Sequence, residues 1–205
     1  MPVSAVMQQR VEPADGLDDF PTPPWATRAL LERLEVRGHD FSQQSVREPA
    51  ANRGHMVKPL RERFSAVHAA DIHDYGVGFP VRNYLIGPNP FFVDWTITNP
   101  PFAKGEEFTL RALASSREGV AMFTRTAFLE SIGRYQNLYS APKRRPTLVL
   151  QFVERVGIHK GKMTRKASTA TAYCWIVWER PGGLATELDW IPPCRERLER
   201  TEDYA

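Results

Sequence analysis

The sequence predicts an α/β domain whose sheet is mainly parallel with an antiparallel edge. Three observations lead there. Through the first two thirds of the 205 residues, short apolar, β-branched segments alternate with segments of helical spacing. Towards the C-terminus two long apolar segments, TLVLQFV and YCWIVW, follow each other across one basic loop, the pattern of a hairpin. Hydrophobic residues make up 42% of the chain, enough for one sizeable core and too many for a disordered chain.

Residues 1–18 are polar and interrupted by proline, and read as a loose leader. In PTPPWATRALLERL, Ala26, Leu30, Leu31 and Leu34 recur at helical spacing, with Thr22 as the expected cap and Pro23 and Pro24 suited to the first turn. Val46 to Glu48 predict a short strand that runs into a turn and a helix starting near Gly54. SAVHAADI predicts a second strand, ending in the acidic turn from Asp71 to Asp74. A loop with several Gly and Pro follows, with short structure at VRNYLI, and then VDWTITN, an alternating strand stopped by Pro100 and Pro101. Phe108 to Ser116 predict a helix, GVAMFTR a buried strand, and TAFLES to Tyr139 loop and helix. The hairpin strands come next, with Trp175 and Trp178 in the core. Residues 182–205 are expected to be a tail that packs on, or trails from, a single domain spanning 19–181, with Trp190 and Ile191 as its apolar residues.

No apolar run approaches the roughly 20 residues of a membrane span. The N-terminus has no apolar block after a basic region, so a secretory signal is not expected and a cytoplasmic location is. Cys174 and Cys194 form no disulfide framework and no metal-ligand spacing. His39, His55, His68, His73 and His159 stand at no metal or nucleophile spacing either, so neither a metal nor a catalytic dyad is expected. The net charge of +3 is unevenly spread: Lys143 to Lys166 hold eight Lys and Arg against one acid, Glu154, on a mildly acidic remainder. Such a segment is either a solvated basic loop or a polyanion contact.

Asn99-Pro100-Pro101-Phe102 follows a predicted strand, at the sheet edge where open α/β folds bind ligands. An amino group on an aromatic ring is a poor nucleophile because its lone pair is delocalised into the ring. Hydrogen bonds from both of its N–H groups, to the Asn99 side-chain oxygen and the Pro100 carbonyl, would draw the nitrogen towards sp³ and free that pair. Proline lacks an N–H and fixes φ, so the turn holds both acceptors rigidly. Phe102 offers a face on which an extruded base can stack. The plain alternative is a turn that merely ends a strand. Glu48-Pro49-Ala50-Ala51-Asn52-Arg53-Gly54 is a strand-to-helix turn of small residues that lets a ligand approach the backbone, or a simple turn. Asp71, at the end of the next strand, is placed to accept ribose hydroxyls, with Asp74 as the competing acid.

Taken in order, FPTPPWATRALLE, REPAANRGHM, AADIHDYG and DWTITNPPF resemble the S-adenosylmethionine-dependent DNA adenine-N6 methyltransferases, above all the small phage and prophage enzymes, over about residues 18–180. The resemblance implies a Rossmann-like methyltransferase fold: a mainly parallel seven-stranded sheet, an antiparallel C-terminal hairpin, and helices on both faces. It implies S-adenosylmethionine as cofactor with S-adenosylhomocysteine as product, no metal, and double-stranded DNA as the partner of a monomer or weak dimer in a bacterial or phage-infected cell. Phe20, Thr22 and Pro23 then border the methionine part of the cofactor. Glu48, Pro49, Ala50 and Gly54 match the cofactor loop, with the acid near the methionine moiety. Asn52 stands where glycine is usual, and asparagine tolerates positive φ better than most residues. Asp71 matches the ribose acid, Ile72 packs on the adenine, and Asn83-Tyr84 stands where the family has Asp-Phe. Asn99, Pro100, Pro101 and Phe102 match the catalytic motif.

The expected DNA contacts are Lys143, Arg144 and Arg145 together with the hairpin-loop residues Lys160, Lys162, Arg165 and Lys166. Arg125 and the TAFLES segment are expected at the base pocket, and Phe123 and Phe128 in the core. Only about 100 residues follow the motif, so loops rather than a separate domain would read the target. The alternatives are an RNA-base N-methyltransferase and a non-catalytic nucleic-acid-binding relative.

Overall fold

The computed structural model describes residues 17–166 and 169–204; most of the leader lies outside the described residues. Helix α1 (Pro24–Val36) starts on a proline, where the missing N–H is harmless. Thr22 does not cap it, because its hydroxyl is engaged elsewhere. Strand β1 (Ser45–Glu48) leads through the Gly54 turn to a short helix α2 (Val57–Arg61), and β2 (Ala66–Ala69) ends two residues before Asp71. Residues 70–92 hold no helix and one isolated bridge, Asp71 to Val81, before β3 (Val93–Thr98). Gly76, Gly78, Gly87, Pro80, Pro88 and Pro90 interrupt any regular run there.

After the Asn99–Pro101 turn, a 3₁₀ turn (Phe102–Lys104) feeds α3 (Gly105–Leu113). The helix expected from Phe108 thus begins three residues earlier, and Ser116 already opens β4 (Ser116–Arg125). Only short turns, among them α4 (Ile132–Arg134), separate β4 from β5 (Leu148–Phe152), which pairs antiparallel with β6 (Tyr173–Glu179). The expected tail is part of the fold: it forms β7 (Glu187–Ile191) and α5 (Arg195–Leu198). Its polar composition suits an edge strand with one flank and one face open to water.

The seven strands run in the order β2-β1-β3-β4-β6-β5-β7. β2, β1, β3 and β4 are parallel, β6 runs antiparallel to both β4 and β5, and β7 lies parallel to β5. The fold class expected from the sequence is therefore observed, with β7 supplying the seventh strand from the tail. On one face, Trp25, Leu30 and Leu34 of α1 and Leu60 of α2 pack on Trp95, Ile97, Phe123 and Trp175. On the other, Phe108 and Ala112 of α3 pack on Val120, Met122, Ile176 and Trp178. Both tryptophans expected in the core are there, each donating its indole N–H to a main-chain oxygen, Trp175 to Ala26 and Trp178 to Arg144.

The C-terminus is held by charge as well as by packing. Arg28 of α1 is 4% exposed and grips the Asp203 carboxylate with two hydrogen bonds, of 2.7 and 2.8 Å. Its remaining donors reach Glu62 and the Leu198 carbonyl. Removing Asp203 takes away one of the two carboxylates on this buried guanidinium and leaves Glu62. Asp203→Ala should therefore destabilise the domain by about 1.5–3 kcal/mol in urea unfolding; a loss under about 0.5 kcal/mol would show that the C-terminal turn is not part of the cooperative unit.

Candidate active site

Strands β2, β1 and β3 are parallel neighbours, so their C-terminal ends open on one edge of the sheet. A cleft lies there. Its walls include Phe20 and Thr22 from the segment before α1, Pro49, Ala50 and Asn52 from the loop after β1, and Asp71 and Ile72 from the end of β2. Asn83, Tyr84, Asn99 and Pro101 line it too, with the charged side chains of Arg82 and Lys104. The sequence thus places most of the expected cofactor residues in one cavity. Glu48, Pro23 and Gly54 do not line it.

The Asn99 amide is clamped. Its Nδ2 donates to the Phe20 carbonyl at 3.0 Å and to the Thr22 hydroxyl at 2.9 Å. Both amide hydrogens are used, so the orientation of the group is set and Oδ1 is kept as an acceptor. The segment that provides this clamp is tied down at every residue but one. Asp18 accepts from the Phe102 N–H at 2.5 Å, and Asp19 accepts from the Asn52 side chain at 2.7 Å and pairs with Arg53 at 3.0 Å. The Asp19 carbonyl accepts from the Gly161 N–H at 2.8 Å, which fastens the hairpin loop to the same place. One five-residue segment, 18–22, therefore holds the Asn99 motif, the loop after β1 and the β5–β6 loop together.

The loop after β1 turns on Asn52, the one non-glycine residue with positive φ (50°) among the described residues. Its N–H donates to Asp71 Oδ2 at 2.8 Å, and the His73 N–H donates to Asp71 Oδ1 at 2.9 Å. Each carboxylate oxygen keeps a lone pair, so Asp71 can still accept two hydroxyls. Asp74 bonds the Gly76 N–H and does not line the cleft. Gly54, φ 84°, turns the chain into α2 with Phe79 against it: a Cβ there would stand 3.0 Å from the Phe79 ring.

The catalytic-type motif divides two cavities. Asn99 and Pro101 line the cleft, whereas Pro100 and Phe102 line a second, smaller cavity with Thr124, Arg125, Phe128 and Arg134. Arg125 lies over the Phe102 ring, 4.0 Å from its centroid, and Phe20 packs on that ring at 5.3 Å. Phe123 is wholly buried as expected, and Phe128 packs on the core of the other face while, half-buried, it also lines the second cavity. Spacing alone could not show this, because two aromatics five residues apart carry no sign of which one borders a cavity.

No family model matches the sequence, and no curated protein is similar to it. Solved structures are similar in fold. A Listeria monocytogenes protein provisionally assigned to the class I S-adenosylmethionine-dependent methyltransferases superposes with a TM-score of 0.62 at 10% identity, covering 86% of this chain and 67% of its own. A Pyrococcus horikoshii protein provisionally assigned as an RNA methyltransferase gives 0.59 at 16% identity, covering 78% and 86%. The methyltransferase subunit of a type I restriction-modification system from Streptococcus thermophilus gives 0.59 at 10% identity, covering 91% of this chain and 50% of its own. The fold is the Rossmann-like methyltransferase fold.

In this methyltransferase fold the two basic segments lie at opposite ends of the sheet. The β5–β6 loop leaves from the end where Tyr173 pairs with Arg125, beside the motif, and Lys160, Lys162, Arg165 and Lys166 are exposed on it. Arg165 also pairs with Glu199 and stacks on Tyr204. Lys143, Arg144 and Arg145 instead sit beside Trp178 and Leu184, near the pairing of Gly119 with Glu179, roughly 20 Å along the strands. Arg145 is moreover engaged with the Tyr139 and Leu184 carbonyls. A charge sum along the chain does not record which end of a strand a loop leaves from.

Among the described residues no cluster of His, Cys, Asp and Glu could hold a metal ion, and no helix is long and apolar enough to cross a membrane. His55 lines the cleft, and burial, with Lys58 and Arg53 nearby, pulls its pKa down to about 4, so it is neutral. Glu48 is sealed behind the cleft wall, fully buried: Oε1 accepts from the Ala50 N–H at 2.9 Å and from the Thr98 hydroxyl at 2.5 Å, and Oε2 has no partner. Burial pushes its pKa up to about 8, against the pull of those two bonds. Between about pH 4.5 and 8 the native carboxyl keeps a proton that the unfolded chain has lost, so stability falls as pH rises, by up to about 1.4 kcal/mol per pH unit. Glu48→Gln should flatten that slope in denaturation measured from pH 5 to 8; an equal slope in both proteins would show that Glu48 is not its source.

Proposed function

We propose that the chain transfers the methyl group of S-adenosylmethionine to the N6 amino group of adenine in double-stranded DNA. The observation that carries this is the Asn99 clamp at a turn standing between two cavities. With Nδ2 committed to Phe20 and Thr22, Oδ1 is an acceptor for an amino group, and the neighbouring Pro100 carbonyl is a second. Two acceptors on one planar nitrogen raise its nucleophilicity, which is what alkylation of an aromatic amine requires.

The cleft fits an adenosyl cofactor by the chemistry of its walls. Asp71 retains two acceptor positions for ribose hydroxyls, and Ile72, Asn83 and Tyr84 offer a largely apolar border for the adenine, with Pro49 beside them. Phe20, Thr22, Ala50 and Asn52 border the remainder. The cofactor, when bound, supplies a methyl group made electrophilic by its sulfonium. The protein's task is then orientation rather than proton transfer. A neutral His55 and a sealed Glu48 agree with a site that needs no general base at the nitrogen. The target adenine must leave the duplex, at a cost of a few kcal/mol, to reach the turn. A base stacking on the Arg125 side of Phe102 displaces that guanidinium from the ring.

The DNA backbone is assigned to the β5–β6 loop beside the site. The restriction-modification subunit of similar fold supports DNA as the substrate. The Pyrococcus horikoshii protein favours a second reading in which the same turn serves an adenine in RNA. Methylation assays on matched duplex DNA and RNA decide between them.

Asn99→Ala should abolish methyl transfer while S-adenosylhomocysteine still binds in calorimetry; retained turnover would remove the turn from the chemistry. Lys162→Ala with Lys166→Ala should weaken duplex binding and reduce the slope of log K against log[salt] by roughly one to two. Lys143→Ala with Arg144→Ala should leave that slope unchanged, and the opposite ranking would place the DNA at the far end of the sheet.

A further inference from the structure

A third cavity, of about 730 Å³, lies along β1 and β2, where residues 70–92 pass over the sheet without a helix. It shares a wall with the cleft through Pro49, Arg82, Asn83 and Tyr84, yet has a character of its own. Arg47, Arg61, His68, Arg82 and Arg111 line it, and no acidic residue does. None of the four arginines forms an ion pair with a described carboxylate.

Arg47 is the telling residue. It is 5% exposed, yet its guanidinium meets only neutral groups: the Ser115 hydroxyl, at 3.1 Å, the Phe91 carbonyl and ring, and the Tyr84 hydroxyl. Burial, with Arg111 beside it, weakens its hold on its proton. A buried cation without a counter-charge is costly, and proteins keep one where an anion arrives. One more polar atom points the same way: Arg111 Nε is buried and makes no hydrogen bond, while Nη2 of the same side chain reaches the Gly87 and Pro88 carbonyls. Phe91 is 57% exposed and adds a flat apolar wall, with Arg47 4.9 Å from its ring centre. The volume is that of a small-molecule site.

We infer that this cavity is a second binding site, for a phosphate-bearing ligand held by Arg47 and Arg111 with Arg61 and Arg82 at its mouth. Guanidinium forks match phosphate oxygens in pairs, and Arg111 Nε is a donor still without an acceptor. The phosphate belongs either to a small phosphorylated molecule or to the backbone of a nucleic acid running past the cleft. The inference is independent of the reaction assigned to the Asn99 turn.

Calorimetry of the full chain with inorganic pyrophosphate, and separately with a short DNA duplex, tests it. Pyrophosphate should bind saturably, and Arg111→Gln and Arg61→Gln should each weaken it about tenfold. Should Arg111→Gln fail to fold by circular dichroism, the exposed Arg61 variant carries the test alone. If duplex affinity falls in parallel, the phosphate is the backbone's; if it holds while pyrophosphate binding drops, the ligand is a small molecule. Absence of saturable pyrophosphate binding, or equal affinity in the variants that fold, overturns the site.

Discussion

The segment from Asp18 to Thr22 is the constraint on which the rest of the site depends. In the proposed reaction Asn99 serves only if its oxygen, and not its nitrogen, is presented, and an amide held by one bond can turn over. The Phe20 carbonyl and the Thr22 hydroxyl together take both amide hydrogens. The same few residues hold the Phe102 N–H through Asp18, and Asn52, Arg53 and Gly161 through Asp19. Four chain segments far apart in sequence are thereby kept in one geometry, as a reaction governed by orientation demands.

Electrostatics around the site divide by depth. Two groups that could move a proton near the cleft are held neutral: His55 by burial and neighbouring cations, Glu48 by burial and by the Asp71 carboxylate nearby. Positive charge gathers on the β5–β6 loop and on Arg125 above Phe102, with Arg82 and Lys104 in the cleft wall itself. In the proposed reading that loop is where a polyanion is drawn to the sheet edge. Beyond β1, Arg47 and Arg111, held by neutral groups and by no carboxylate among the described residues, mark a second cluster of charge, which is why their cavity reads as a site and not as packing.

The two ends of the sheet are unlike. At β2 the chain spends residues 70–92 on a loop, leaving an open flank with several exposed apolar side chains, Val81, Ile86 and Phe91 among them. At the other end the sheet is extended by β7, and the Arg28–Asp203 pair ties the last turn back to α1. The C-terminal residues therefore contribute to the core that supports the site, although none of them lines the cleft.

The local features of this protein were legible in the residues themselves. β-Branched alternation marked β3 and its stop at Pro100, the apolar pair of strands marked the hairpin, and the small-residue turn marked the loop after β1, where the family resemblance added a glycine-like position at Asn52. Each is a property of neighbouring residues, set by φ preferences, missing donors and side-chain period. What tertiary structure alone decided is where separate segments meet. Thr22 forsakes its helix for Asn99, 77 residues away. Lys143 and Lys162 part to opposite ends of the sheet, and a polar tail becomes an edge strand. Arg47, unremarked as one residue of a short strand, proves to be a buried cation without an acid. Burial and pairing depend on the whole path of the chain, and no local period encodes them.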